Sequence, residues 1–145
     1  MPHQVLVALC GRRPEPRLRL VVKVVLPESQ PRQLICWLKN IGRGAAREAR
    51  AVIEVNAFLA FVDHTPTKQP DSGPVFGHLI PKTPGPIYPG ETAETNHGRL
   101  QNHKADACWL RGYIYALDML PVRIEEELDL RVHDGVYTFP SADDT

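Results

Sequence analysis

The sequence predicts an all-β protein, a sandwich of six to eight short, mostly antiparallel strands with one long proline-rich loop. Three observations carry that prediction. Fourteen prolines are spread over 145 residues, a density that punishes long helices and tolerates strands bounded by turns. Apolar and polar residues alternate with a period of two in three separate segments, the pattern of a half-buried strand. Glycine, proline and asparagine gather between those segments, where the chain must reverse.

The first strand starts at Arg17. Leu18, Leu20, Val22 and Val24 fall on one face, with Arg17, Arg19, Val21 and Lys23 on the other, and Pro27 closes the run. Gln33 to Lys39, rich in Leu, Ile, Cys and Trp, forms a second strand. The loop Asn40-Ile-Gly-Arg-Gly44 follows, with glycines free to take positive φ. Ala45 to Phe61 is ambiguous. Its Ala-Ala-Arg-Glu-Ala start favours helix, but Ala51, Ile53, Val55 and Ala57 alternate with Val52, Glu54, Asn56 and Phe58, so its second half reads as strand.

Between His64 and Pro89 lie seven prolines, which predict an irregular excursion with at most a short strand near Val75 to Ile80 and few core residues. Tyr88-Pro-Gly-Glu91 suits a type II turn, and Thr92 to Thr95 enters another strand. Ala107 to Leu117 places Cys108, Leu110, Gly112 and Ile114 against Trp109, Arg111, Tyr113 and Tyr115. In the next run Ile124, Leu128, Leu130 and Val132 share a phase in which Glu126 is the single charge, so Glu126 belongs near a strand end or an open edge. A turn at His133-Asp-Gly135 and a short strand at Val136 to Phe139 close the domain. The division expected is an N-terminal extension over 1–15, one sandwich domain over 16–140 and a frayed tail over 141–145.

Composition narrows the functions. Seventeen Lys and Arg balance seventeen Asp and Glu, so no broad positive field recruits nucleic acid or anionic lipid. No apolar run approaches the roughly 20 residues of a membrane-spanning helix. The apolar stretch Val5 to Cys10 is preceded by four residues without Lys or Arg, the wrong flank for a secretory signal. Cys10, Cys36 and Cys108 form an odd set with no Cys-x-x-Cys, which argues against a disulfide framework.

Leu38-Lys-Asn-Ile-Gly-Arg-Gly-Ala-Ala46, Ile87-Tyr-Pro-Gly-Glu91 and Leu110-Arg-Gly-Tyr-Ile-Tyr-Ala-Leu-Asp118 together resemble bacterial immunoglobulin-like modules of the CARDB adhesion kind. The third stretch is similar to a strand in the terminal domain of small membrane-anchored bacterial proteins, matching at Gly112, Ile114 and Asp118 with Tyr115 one residue out of step. The resemblance implies an immunoglobulin-like sandwich and no reaction. The chain departs from the pattern in lacking preceding membrane helices and the small residue that ends the strand after the aspartate.

Catalytic chemistry finds little footing. Cys36 lies inside an apolar strand between Ile35 and Trp37, an environment that suppresses thiolate. Ser29, Ser72 and Ser141 stand among prolines or at the tail, outside any Gly-x-Ser-x-Gly elbow. Glu125 and Glu127 share a face, with Arg123 and Arg131 to neutralise it. Gly42-Arg-Gly44 lacks the further glycine and lysine of a phosphate cradle. Arg12, Arg13, Arg17, Arg19 and Lys23 read as a solvated edge strand. The densest ligand cluster is His97, His103, Asp106 and Cys108, whose spacing fits no closed metal site.

These readings converge on a non-enzymatic interaction or accessory module that needs no cofactor and no resident metal and takes a protein partner. The Pro-rich excursion is the expected contact surface, through Phe76, His78, Ile87 and Tyr88, because long loops on rigid sandwiches carry recognition. The alternative is a small metal-dependent enzyme using the region of His97, His103 and Cys108 or Asp106. Self-association would follow if the edge near Arg17 to Val25 were open.

Overall fold

The computed structural model describes residues 14–26, 33–55, 59–61, 75–100 and 106–140. Within them the alternating segments are strands, and no helix occurs among the described residues. The strands are β1 (Leu18–Val25), β2 (Gln33–Asn40), β3 (Arg50–Val55), β4 (Leu59–Phe61), β5 (Val75–Leu79), β6 (Thr92–Leu100), β7 (Ala107–Tyr115), β8 (Val122–Asp129) and β9 (Val136–Phe139). Eight have four or more residues, and the ninth, β4, has three.

They form a five-stranded sheet in the order β4-β6-β2-β1-β9 and a four-stranded sheet in the order β5-β3-β7-β8. Every pairing is antiparallel. The sheets pack face to face, because each presents one apolar side that must leave water. Leu18, Leu20, Val22 and Val24 from β1 join Leu34, Cys36 and Leu38 from β2 in one core with Ile53, Cys108, Leu110, Ile114, Ile124 and Leu128 of the other sheet.

The 45–61 ambiguity resolves to strand. Residues 45–49 cross irregularly, with Glu48 at φ 51° and Ala46 bridged to Ile87, before β3 begins at Arg50. The Pro-Gly turn has the expected form. Gly90 has φ 84°, and the Glu91 N–H donates to the Tyr88 carbonyl at 2.9 Å. Glu126 lies half-buried on β8, which is a sheet edge.

Four expectations need correction. β1 is not an edge: β9 pairs along Leu20 to Lys23 on the side away from β2. That pairing joins residues more than a hundred positions apart, which alternation within a segment cannot disclose. The proline-rich stretch does contribute to the core, since Leu79 and Ile87 are buried and β5 pairs fully with β3. The apolar phase of β8 stops short of Val132, which is exposed in the turn beyond Leu130. Finally, Gly42 and Gly44 do not take positive φ. They are small because residues 14–17 run directly against them, and an added Cβ would strike the backbone of Pro14, Glu15 and Arg17. Pro14 and Glu15 therefore pack with the domain: the Glu15 carbonyl accepts the N–H groups of Arg43 and Gly44.

Asn40 ties that end of the sandwich together. Its side-chain oxygen accepts the N–H groups of Arg17 (3.1 Å) and Gly42 (2.9 Å), and its amide donates to the carbonyls of Gly44 (2.7 Å) and Ile87 (2.8 Å). The side chain is completely buried, where an unmade hydrogen bond is costly.

Candidate functional site

With one face of each sheet committed to the core, the surfaces open to other molecules are the two outer faces and the loops. On the four-stranded sheet the outward phase carries Trp109, Arg111, Tyr113 and Tyr115 on β7, with Glu54 and Arg123 on the flanking strands. Its cations are partnered. The Arg111 guanidinium lies 4.2 Å from the Trp109 ring centre and 4.0 Å from the Glu54 carboxylate, and Arg50 lies over Tyr115 at 5.0 Å. Arg123 meets Glu125 at 2.6 Å, and Arg131 meets Asp129 at 3.0 Å. The hydrogen bonds from Arg131 hold the Asp129 carboxyl down at about 2.

The outer face of the five-stranded sheet is different. Register sets Val21 of β1 opposite Trp37 of β2 and Thr138 of β9, with Glu94 of β6 opposite Trp37 on its other side, so the row carries an apolar pair at its middle. Val136, 60% exposed, and Ile41 extend it. Together they line a shallow groove of about 580 Å³ running past Arg19 and Lys39. Arg19 lies in the outward phase yet is only 6% exposed. Among the described residues its guanidinium makes one hydrogen bond, from Nη1 to the Pro140 carbonyl at 3.2 Å, and no ion pair. The solvated-edge expectation therefore fails at Arg19 as well, because β9 and Pro140 flank it on the side expected to be open.

The four residues expected to make contact do not form one surface. Ile87 is 3% exposed and exchanges both backbone hydrogen bonds with Ala46. His78 is exposed on β5, opposite Val52, and Phe76 stands two residues earlier, opposite Glu54. Tyr88, 56% exposed, belongs to the turn leading into the other sheet. A second recess of about 560 Å³ does lie in the proline-rich stretch, between Ala49, Ile80, Pro84 and Pro86.

The residues of the expected metal-ligand cluster come from both sheets. Cys108 faces the core from β7, whereas His97 belongs to β6 of the other sheet, opposite Ile35. His103, Arg12 and Arg13 lie outside the described residues. Burial pushes both the Cys108 and the Cys36 thiols up to about 12, so each is a protonated, apolar filler. Among the described residues no group of three His, Cys, Asp or Glu is placed to hold a metal ion, and no helix is long and apolar enough to cross a membrane.

The groove escaped the sequence reading because the outward phase of β1 reads as charged. Val21 was the available signal, an apolar residue among Arg17, Arg19 and Lys23. Trp37, out of phase with Leu34, Cys36 and Leu38, was the second. No family model, curated protein or solved structure matches the chain.

Proposed function

We propose that this chain is a non-enzymatic interaction module, an immunoglobulin-like sandwich that takes a protein partner on the outer face of its five-stranded sheet. One observation carries the reading: Trp37, Val21 and Val136 form an apolar groove on the solvent side of a sheet whose other side already fills the core. A half-exposed tryptophan flanked by aliphatic side chains and arginine has the composition of an interface centre. Strand order supports the immunoglobulin-like part. With β1, β2 and β6 as A, B and E and with β3, β7 and β8 as C, F and G, the two sheets have the neighbours of that fold. The likeness of the Asn40 and Gly112 motifs to bacterial immunoglobulin-like modules points the same way.

A second surface is favoured by the recess beside Ile80, which is 50% exposed. Capture on the intact chain, with identification of the bound protein, separates the two. Trp37→Ser should abolish capture of that protein, while Tyr113→Ser on the opposite sheet and Ile80→Ser leave it unchanged. Loss with Ile80→Ser and retention with Trp37→Ser would move the site to the proline-rich recess.

A further inference from the structure

We infer that the Arg19 end of the groove is a carboxylate subsite, and that the partner fills it with an extended acidic segment. That segment carries an Asp or Glu and, two residues along, an apolar side chain for Trp37. The inference rests on the groove being the docking face.

Arg19 is the first ground. A guanidinium has five N–H donors, and no buried side-chain nitrogen lacks a partner among the described residues, so the Arg19 donors that make no bond within the fold reach its surface. Arg19 is more than nine-tenths buried, lines the groove, and among the described residues has one carbonyl and no carboxylate.

Register is the second and independent ground. Arg19 pairs directly with Lys39 on β2, and Lys39 pairs with Thr92 on β6. Like charges placed opposite one another destabilise a sheet, yet here three adjacent strands set a guanidinium, an ammonium and a hydroxyl in one row. No acid completes it among the described residues. The acids nearby are engaged elsewhere: Asp134 meets Lys23 at 3.5 Å, and Glu94 meets Lys82 at 3.7 Å.

The adjacent outward row, two residues further along each strand, holds Thr138, Val21, Trp37 and, on β6, the Glu94 already paired with Lys82. Rows two residues apart are separated by about 7 Å, which is also the distance between side chains i and i+2 of an extended peptide. A carboxylate on the first row therefore places an apolar side chain on the second. Two cations beside an apolar strip on a chain of zero net charge suit one carboxylate rather than the repeated phosphates of a nucleic acid or a membrane.

The test uses the full chain labelled with ¹⁵N and the capped, amidated peptide Thr-Glu-Thr-Leu-Thr, which has a single carboxylate. Addition of the peptide should shift the Arg19 Nε–H and Trp37 indole N–H signals. Exchanging its Glu for Gln should weaken binding at least tenfold. Arg19→Gln and, at an exposed position, Lys39→Gln should each reduce the Glu peptide to the affinity of the Gln peptide, and Lys82→Gln should not. Equal affinity of the two peptides, with Trp37 still shifting, would overturn the carboxylate subsite and leave the docking groove standing. Shifts at neither signal would count against both. Shifts at Arg19 with phosphatidylglycerol vesicles or inorganic phosphate, but not with the peptide, would overturn the acidic segment as occupant.

Discussion

The two outer faces of this sandwich are built alike, as antiparallel strands with charged residues in the outward phase, and they use their charges differently. On the four-stranded sheet Arg111, Arg50 and Arg123 each rest on an aromatic ring or a carboxylate of the same face. On the five-stranded sheet Arg19 and Lys39 face each other with no acid between them, beside Trp37 and Val21. A face that satisfies its own charges is complete in water. The other leaves Arg19 and Lys39 without a carboxylate among the described residues, and the proposed docking face rests on that difference.

The comparison presupposes one shared core, and the largest effects test that. Leu20→Ala from one sheet and Leu110→Ala from the other should each cost about 2 to 5 kcal/mol in denaturant unfolding. A marked inequality would show that one sheet is only loosely docked, and its outer face could then no longer be compared with the other. Asn40→Ala, which strands two N–H groups and the Gly44 carbonyl at the end where residues 14–17, 40–44 and 87–91 meet, should cost about 3 kcal/mol.

Both sheets place a cysteine in that core, and the pair supplies a smaller test. Each thiol ionises near 9.0 in the unfolded chain and at about 12 when folded. The native state therefore holds more protons above pH 9, and stability must fall as pH rises from 9 toward 12. The urea midpoint should be nearly flat between pH 7 and 8.5 and then decline. Cys36→Ala and Cys108→Ala should each reduce that alkaline slope. Iodoacetamide at pH 8 should modify neither thiol in the folded protein.

How much of this was legible before the structure differs by element. β1, β3, β7 and β8 announce themselves through period-two alternation, because each is buried on one side only. β5 was visible as a short strand, but its place in the core was not. The surrounding prolines signal loop, and only pairing with β3 shows that Leu79 points inward. The burial of Ile87 is hidden for the same reason. The groove depended on long-range register: Arg19 becomes special only when β9 arrives at its flank and Lys39 stands opposite, and neither fact is written in the local pattern. Phase predicts direction, not what neighbours will supply.

If Arg19 is held for a ligand at the expense of stability, and Arg111 by its own face, removal of the two charges should have opposite effects. The most direct test is the urea unfolding of Arg19→Met set beside Arg111→Met at neutral pH. Methionine keeps an apolar stem and removes the charge, so Arg19→Met should stabilise the fold by up to about 1 kcal/mol, as relief of like-charge repulsion from Lys39 directly opposite. Arg111→Met should destabilise it by up to about 1 kcal/mol, the scale of an exposed pair with an aromatic contact. Destabilisation of Arg19→Met by as much as Arg111→Met, or more, would show that Arg19 is satisfied within the fold and would contradict the account.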